Sequence, residues 1–265
     1  MIYLKTDEEV ELLRQANLLV GSTLAELAKL IKPGVTTLAL DYVAEQFIRD
    51  HGAEPIFKGF PNSSGHPFPA SICTSVNEQV VHGIPNNRPL EEGDIVSIDC
   101  GVRLGGFCGD SCYTFPVGEI SDDVRRLLVT TKQALYKGIE QAQTGHRLGD
   151  ISAAVQQHCE AQGYGVVREF VGHGVGRDMH EDPQVPNYGR RGTGPLLKNG
   201  LCIAIEPMIT MGTREIYMQE DRWGIVTRDR KPAAHYEHSL CVRRGQADIL
   251  SSFSEIEKVL GPQFI

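Results

Sequence analysis

The stretch "LEEGDIVSID" at 90–99 and the stretch "LLKNGLCIAIE" at 196–206 spell one turn and one apolar strand twice. Leu90 aligns with Leu197, Gly93 with Gly200, Ile98 with Ile205, and the terminal Asp99 with Glu206. Upstream, the segment bounded by Gly34 and Gly52 matches the one bounded by Gly145 and Gly163, with Leu40 and Ile151 in register. Either match alone is what any turn-strand or any amphipathic helix offers. Together, in one order and at nearly one spacing, they predict an internal duplication. The expected fold class is therefore α/β (α+β), built from two related halves that each end a buried strand on a carboxylate. No linker separates the halves, so residues 1–265 are expected to form a single domain.

Local signals fill in the frame. Thr6 and Glu9 form a capping-box pattern ahead of apolar residues at helical spacing, which predicts one or two helices ending near Pro33-Gly34. A further helix is expected to stop at Gly52, followed by a loop over 55–70 that carries Phe57, Phe60 and Phe68. Strand-rich sequence runs from 71 to 114, helices return over 122–163, and a second strand-rich stretch covers about 165–243.

Within the first strand-rich region, "IVSIDCGVRLGGFCGDSCYT" at 95–114 reads as a hairpin. A two-residue turn at Leu104-Gly105 would set Asp99 directly opposite Asp110, and like charges so placed destabilise a strand pair. Other acids and imidazoles sit in similar surroundings: His173 between glycines, His180 after Met179, Glu206 before a proline, and Glu237 between His235 and His238. Each has an ordinary explanation as a capping or solvated residue. Jointly they do not, because the strand cores hold no Lys or Arg to pair with them. A divalent cation turns repulsion between such carboxylates into bridging. An oxygen-rich set with an imidazole suits Mn, Fe(II), Co or Zn, in the manner of a two-metal hydrolase. Cys108 and Cys112 share the aspartate face, but four strand residues span roughly 13 Å. Both sulfurs therefore cannot serve one ion, and they are expected to pack.

Composition narrows the class. A net charge of −8 gives no general attraction to nucleic acid or to an anionic membrane. The N-terminus lacks a signal architecture and no apolar run reaches membrane-spanning length, so a cytoplasmic protein is expected. Seven cysteines without a C-x-x-C pair argue against a disulfide framework.

The segments "HGIP" (82–85), "GFCGDS" (106–111) with Asp99, "GHGVGRDMHEDPQV" (172–185), "IEPM" (205–208) and "YEHS" (236–239) resemble the signature of type I methionine aminopeptidases of the bacterial kind, without an N-terminal extension. The resemblance covers essentially the whole chain. It implies the pita-bread fold, with pseudo-symmetric halves of antiparallel sheet backed by helices. It also implies removal of N-terminal methionine from nascent polypeptides when the second residue is small. Two divalent ions would be held by Asp99, Asp110, His173, Glu206 and Glu237, with Asp110 and Glu237 bridging. Glu206 would take the proton of an activated water, His180 would polarise the carbonyl, and His82 would hold the substrate backbone. Phe60, Cys73, Met179 and Trp223 would line the methionine pocket, with Phe68 nearby.

Three departures stand out: a 57–69 loop longer than the compact bacterial pattern, Met179 where an aromatic is common, and His235 where an amide is expected. A monomer without membrane or specific nucleic-acid partners is expected. Arg222, Arg228, Arg230 and Lys231 read as a solvated loop that could also meet a ribosome. Three rival readings keep the fold: an X-Pro-directed peptidase, a non-catalytic binding relative and a metal-free, creatinase-like hydrolase.

Overall fold

The computed structural model describes residues 1–62 and 65–265, so Ser63 and Ser64 of the 57–69 loop lie outside the described residues. α1 (Asp7–Ala28) opens on the expected capping box: Thr6 Oγ1 accepts from the Glu9 N–H and the Glu9 carboxylate accepts from the Thr6 N–H. Leu13, Ala16, Val20, Leu24 and Leu27 recur at three- and four-residue steps and are buried along one stripe, so the segment is one helix rather than two. α2 (Thr37–Asp50) is capped by Thr36 and ends just before Gly52.

Three short strands follow, β1 (Glu54–Pro55), β2 (Ile72–Val76) and β3 (Gln79–Val81). Next comes the long hairpin of β4 (Ile95–Leu104) and β5 (Phe107–Pro116). α3 (Asp122–Ile139) and α4 (Leu148–Ala161) open the second half. After them run β6 (Gly165–Val166), β7 (Gly172–Gly174), β8 (Glu181–Val185), β9 (Cys202–Ile205) and β10 (Met208–Thr210). β11 (Ile216–Met218), β12 (Ile225–Thr227), β13 (Ala233–His235), β14 (His238–Cys241) and β15 (Asp248–Ile249) complete the strands, and α5 (Ser254–Leu260) follows. In the first half β4 pairs with β1, β2 and β5; in the second the order is β15-β14-β9-β7-β8, and every pairing named is antiparallel.

The duplication is visible bond by bond. Gly34 N–H donates to Leu90 O (2.8 Å), as Gly145 N–H does to Leu197 O (3.1 Å). Leu90 N–H donates to Val35 O (2.8 Å), as Leu197 N–H does to His146 O (2.8 Å). The turns into β4 and β9 both need a left-handed residue, Gly93 at φ +89° and Gly200 at φ +87°. One apolar cluster runs through both halves, taking Leu24 and Leu27 from α1, Tyr113 and Phe115 from β5, Leu135 from α3, and Ile203 and Ile205 from β9. Among the described residues no helix is long and apolar enough to cross a membrane.

Three expectations need correction. Asp99 does not end its strand, because β4 continues past it to Leu104, whereas Glu206 stands just after β9. The hairpin turns at Gly105-Gly106, not Leu104-Gly105, because both glycines hold positive φ (+59° and +81°), as a tight primed turn demands. Asp99 therefore pairs with Cys112, and Asp110 with Gly101. The offset is two residues, so both aspartates keep the same face of the sheet, diagonal rather than opposed. α5 lies beyond the segments read as helical; a seven-residue helix with one buried apolar anchor, Ile256, carries little periodicity.

Candidate metal centre

A cavity of about 250 Å³ lies where the two halves meet. Every residue singled out for the site lines it: Asp99, Asp110, His173, Glu206 and Glu237, then His82 and His180, then Phe60, Cys73, Met179 and Trp223. Arg222, Arg228, Arg230 and Lys231 are exposed instead, and Arg228 and Arg230 pair with Glu215 and Glu78.

His173 sits in a strand that reads Gly-His-Gly for a steric reason. A Cβ on Gly172 would lie 2.4 Å from the Ala204 carbonyl oxygen, and one on Gly174 would lie 2.2 Å from that of Asp182. Only glycine lets β7 slip between β8 and β9, and that approach brings the imidazole onto the acids. Nδ1–H donates to Gly174 O (2.9 Å), which leaves the Nε2 lone pair facing Asp110 Oδ2 and Glu206 Oε1, each at 3.6 Å.

The acids are pinned through their main chains. Asn17 Oδ1 on α1 accepts from the Asp110 N–H (3.1 Å), and the Ser239 hydroxyl donates to Asp110 O (3.0 Å). The Ser111 hydroxyl donates to Glu237 O (2.7 Å), and the Glu237 N–H to Cys112 O (2.9 Å). Asn187 Nδ2 donates to Glu206 O (2.9 Å). Sequence reasoning passed over these supports. Asn17 alone left a signal, an amide on the apolar stripe of α1 between Leu13 and Leu24.

Electrostatically the floor of the cavity lacks positive charge. Asp110 and Glu237 are each 2% exposed, and among the described residues no lysine or arginine pairs with any of the four carboxylates. Burial pushes Asp99 up to about 7 and Glu206 up to about 8. Burial and then the neighbouring carboxylates push Asp110 and Glu237 well above the usual range. Asp99 Oδ1, Asp110 Oδ1 and Glu237 Oε1 are buried without a hydrogen-bond partner.

The imidazoles respond the opposite way. Burial holds His82 and His173 down to about 4 and lowers His180 and His235, so their lone pairs are free. Asp110, His173 and Glu237 each bring a ligand atom to within 4.8 Å of the others. Unpartnered carboxylate oxygens beside a neutral imidazole match the donor set of a divalent cation. The residues present fit such an ion.

Above the acids the wall is apolar. Phe57, Phe68, Cys73 and Met179 pack together with Phe60 and Trp223. Trp223 meets Phe68 edge-on at 5.1 Å, and its indole N–H donates to His66 O (2.9 Å), tying the 55–70 loop to the β11–β12 connection. His180, at the exposed rim, stands 4.5 Å from the His173 ring and 5.4 Å from Phe60. His82 holds φ at +59°, an uncommon conformation for a residue with a side chain. All seven cysteines are free and buried, and the Cys112 thiol donates to His235 O (3.5 Å) rather than facing a metal.

Residues 11–244 match metallopeptidase family M24. The chain is 51% identical over 252 residues to the methionine aminopeptidase of Clostridium acetobutylicum, covering 95% of this chain and 99% of that one. It is 49% identical over 251 residues to methionine aminopeptidase 1 of Bacillus subtilis, again covering 95% and 99%. The crystal structure of methionine aminopeptidase from Rickettsia prowazekii superposes with a TM-score of 0.91 at 40% identity, over 95% of this chain and 100% of that one. The two pseudo-symmetric halves thus form the pita-bread fold, and the chain belongs to metallopeptidase family M24, among its methionine aminopeptidases.

Proposed function

We propose that the chain removes the N-terminal methionine from nascent polypeptides whose second residue is small, as one catalytic domain holding two divalent ions. The observation that carries this reading is the convergence of four carboxylates without a cationic partner beneath an apolar wall. Membership of a metallopeptidase family implies a divalent metal. Asp99, Asp110, His173, Glu206 and Glu237 would hold the pair; Mn, Fe(II), Co and Zn all suit these donors. When bound, such ions make hydroxide accessible near neutral pH and polarise the scissile carbonyl.

The remaining work falls to side chains. Glu206, which lines the cavity beside His173 and His235, accepts the proton of the attacking water and passes it to the leaving amine. His180 at the rim donates a hydrogen bond to the oxygen on which negative charge develops. His82 hydrogen-bonds the substrate backbone near the scissile bond. Phe60, Cys73, Met179 and Trp223 take the methionine side chain and exclude water. A cavity of about 250 Å³ closed by its carboxylate floor supports cutting after one residue. The second residue must fit beside the carboxylates at the mouth of the same cavity, which favours a small one. On this reading the enzyme works in the cytoplasm as a monomer on emerging chains.

The test offers metal-loaded protein Met-Ala-Ser and Ala-Pro-type peptides. Release of methionine from the first with the second left intact is the expected result. Cleavage of the proline-linked peptide without methionine release would shift the assignment to an X-Pro peptidase.

A further inference from the structure

His235 stands beside Glu206 with no role in the scheme above. Its main chain is fixed on the hairpin: its N–H donates to Thr114 Oγ1 (3.0 Å), and its carbonyl accepts from the Thr114 hydroxyl (2.7 Å) and the Cys112 thiol (3.5 Å). Thr114 Oγ1 is itself 2.8 Å from Ser97 Oγ, so β13 is locked to β4 and β5 at this residue. The ring therefore projects into the cavity, with its side chain only 2% exposed. Nε2 is buried without a hydrogen-bond partner and lies 3.4 Å from Glu206 Oε2. The other oxygen of the same carboxylate, Oε1, is 3.6 Å from His173 Nε2.

One carboxylate thus faces two imidazoles through two different oxygens. His173 belongs to the cluster with Asp110 and Glu237; His235 does not. A buried ring N–H without an acceptor is unfavourable, and Glu206 Oε2 is the acceptor within reach. Contraction from 3.4 Å to hydrogen-bond length needs only a small turn of the Glu206 carboxylate.

We propose that His235 is a positioning residue: its Nε2–H holds Glu206 Oε2, so that Oε1 is the oxygen presented toward His173 and the metal. The proposal rests on Glu206 being a metal ligand.

The test measures Mn(II) affinity by titration calorimetry, the visible absorption of the Co(II) form, and kcat and KM separately. The proteins are wild type, His235→Leu, His235→Gln, Glu206→Ala and the His235→Leu/Glu206→Ala double variant. His235→Leu is expected to weaken Mn(II) binding about 10- to 100-fold, as loss of a partner behind a metal ligand does. It should also change the Co(II) spectrum and lower kcat with KM little altered. His235→Gln, whose amide N–H can reach the same oxygen, should recover most of each. In the Glu206→Ala background His235→Leu should add no further loss of metal affinity.

Wild-type affinity and spectrum in His235→Leu overturn the proposal. So does an undiminished His235→Leu effect on metal binding without Glu206, which would make His235 a ligand or a packing residue. If Glu206→Ala binds Mn(II) like wild type, the ligand role of Glu206 fails first and takes the proposal with it. Should His235→Leu not fold, His235→Asn, whose amide is too short to reach, replaces it with the same expected outcomes.

Discussion

Asp99 and Glu206 retain protons near neutral pH in the metal-free protein, at about 7 and about 8, because burial disfavours their ionised forms. The unfolded chain has already lost those protons, so folding binds protons and stability falls as pH rises through this range. The buried histidines act in the opposite sense. His82 and His173 are held down to about 4, and His238 to about 3, so their contribution to stability grows with pH only up to the ordinary histidine range near 6.5. Between pH 6.5 and 7.5, below the range in which Lys132 and the buried thiols Cys73, Cys100 and Cys112 come into play, the carboxylates dominate. Thermal melts of chelator-treated protein are expected to show the melting temperature falling from pH 6.5 to 7.5, and Mn(II)-loaded protein is expected to show no such fall. A rise for the chelated protein would contradict the electrostatic account of the site. These residues were legible in the sequence because carboxylates in apolar strands break a local rule, which folds tolerate chiefly at functional sites. The aromatic wall was less so, since Phe60 or Trp223 would suit an ordinary core equally well.

Among elements, the hairpin of β4 and β5 and the helix behind it decide where Asp110 stands. The strands, their shared face and the capping box of α1 all followed from pattern. The register did not, because Leu104-Gly105 and Gly105-Gly106 are both plausible turns by composition, and only the φ values of the two glycines separate them. The slip was harmless because it was even. Asn17 also stayed hidden, since its importance is tertiary: it receives the Asp110 N–H and donates from Nδ2 to Leu13 O (2.9 Å). Replacing it with alanine leaves a buried N–H unpaired, at a cost of about 1–3 kcal/mol. Asn17→Ala is expected to shift the urea unfolding midpoint of the metal-free protein downward accordingly, with the dependence on denaturant unchanged. An unshifted midpoint would mean that water or a relaxed strand satisfies the Asp110 N–H.

At the scale of the molecule, neither half holds the centre alone. β4 and β5 bring Asp99 and Asp110, and the second half brings His173, Glu206 and Glu237. The duplication read from Gly93 and Gly200 accounts for this, since each copy's buried strand carries an acid to the shared face, Asp99 within β4 and Glu206 just after β9. The apolar cluster that crosses both halves then keeps the acids together despite their mutual repulsion. Titration of Mn(II) into the metal-free protein tests that arrangement most directly. Two ions per wild-type chain, with binding lost in Asp110→Ala, is the expected result. No binding to wild type, or the same binding in Asp110→Ala, would contradict the account.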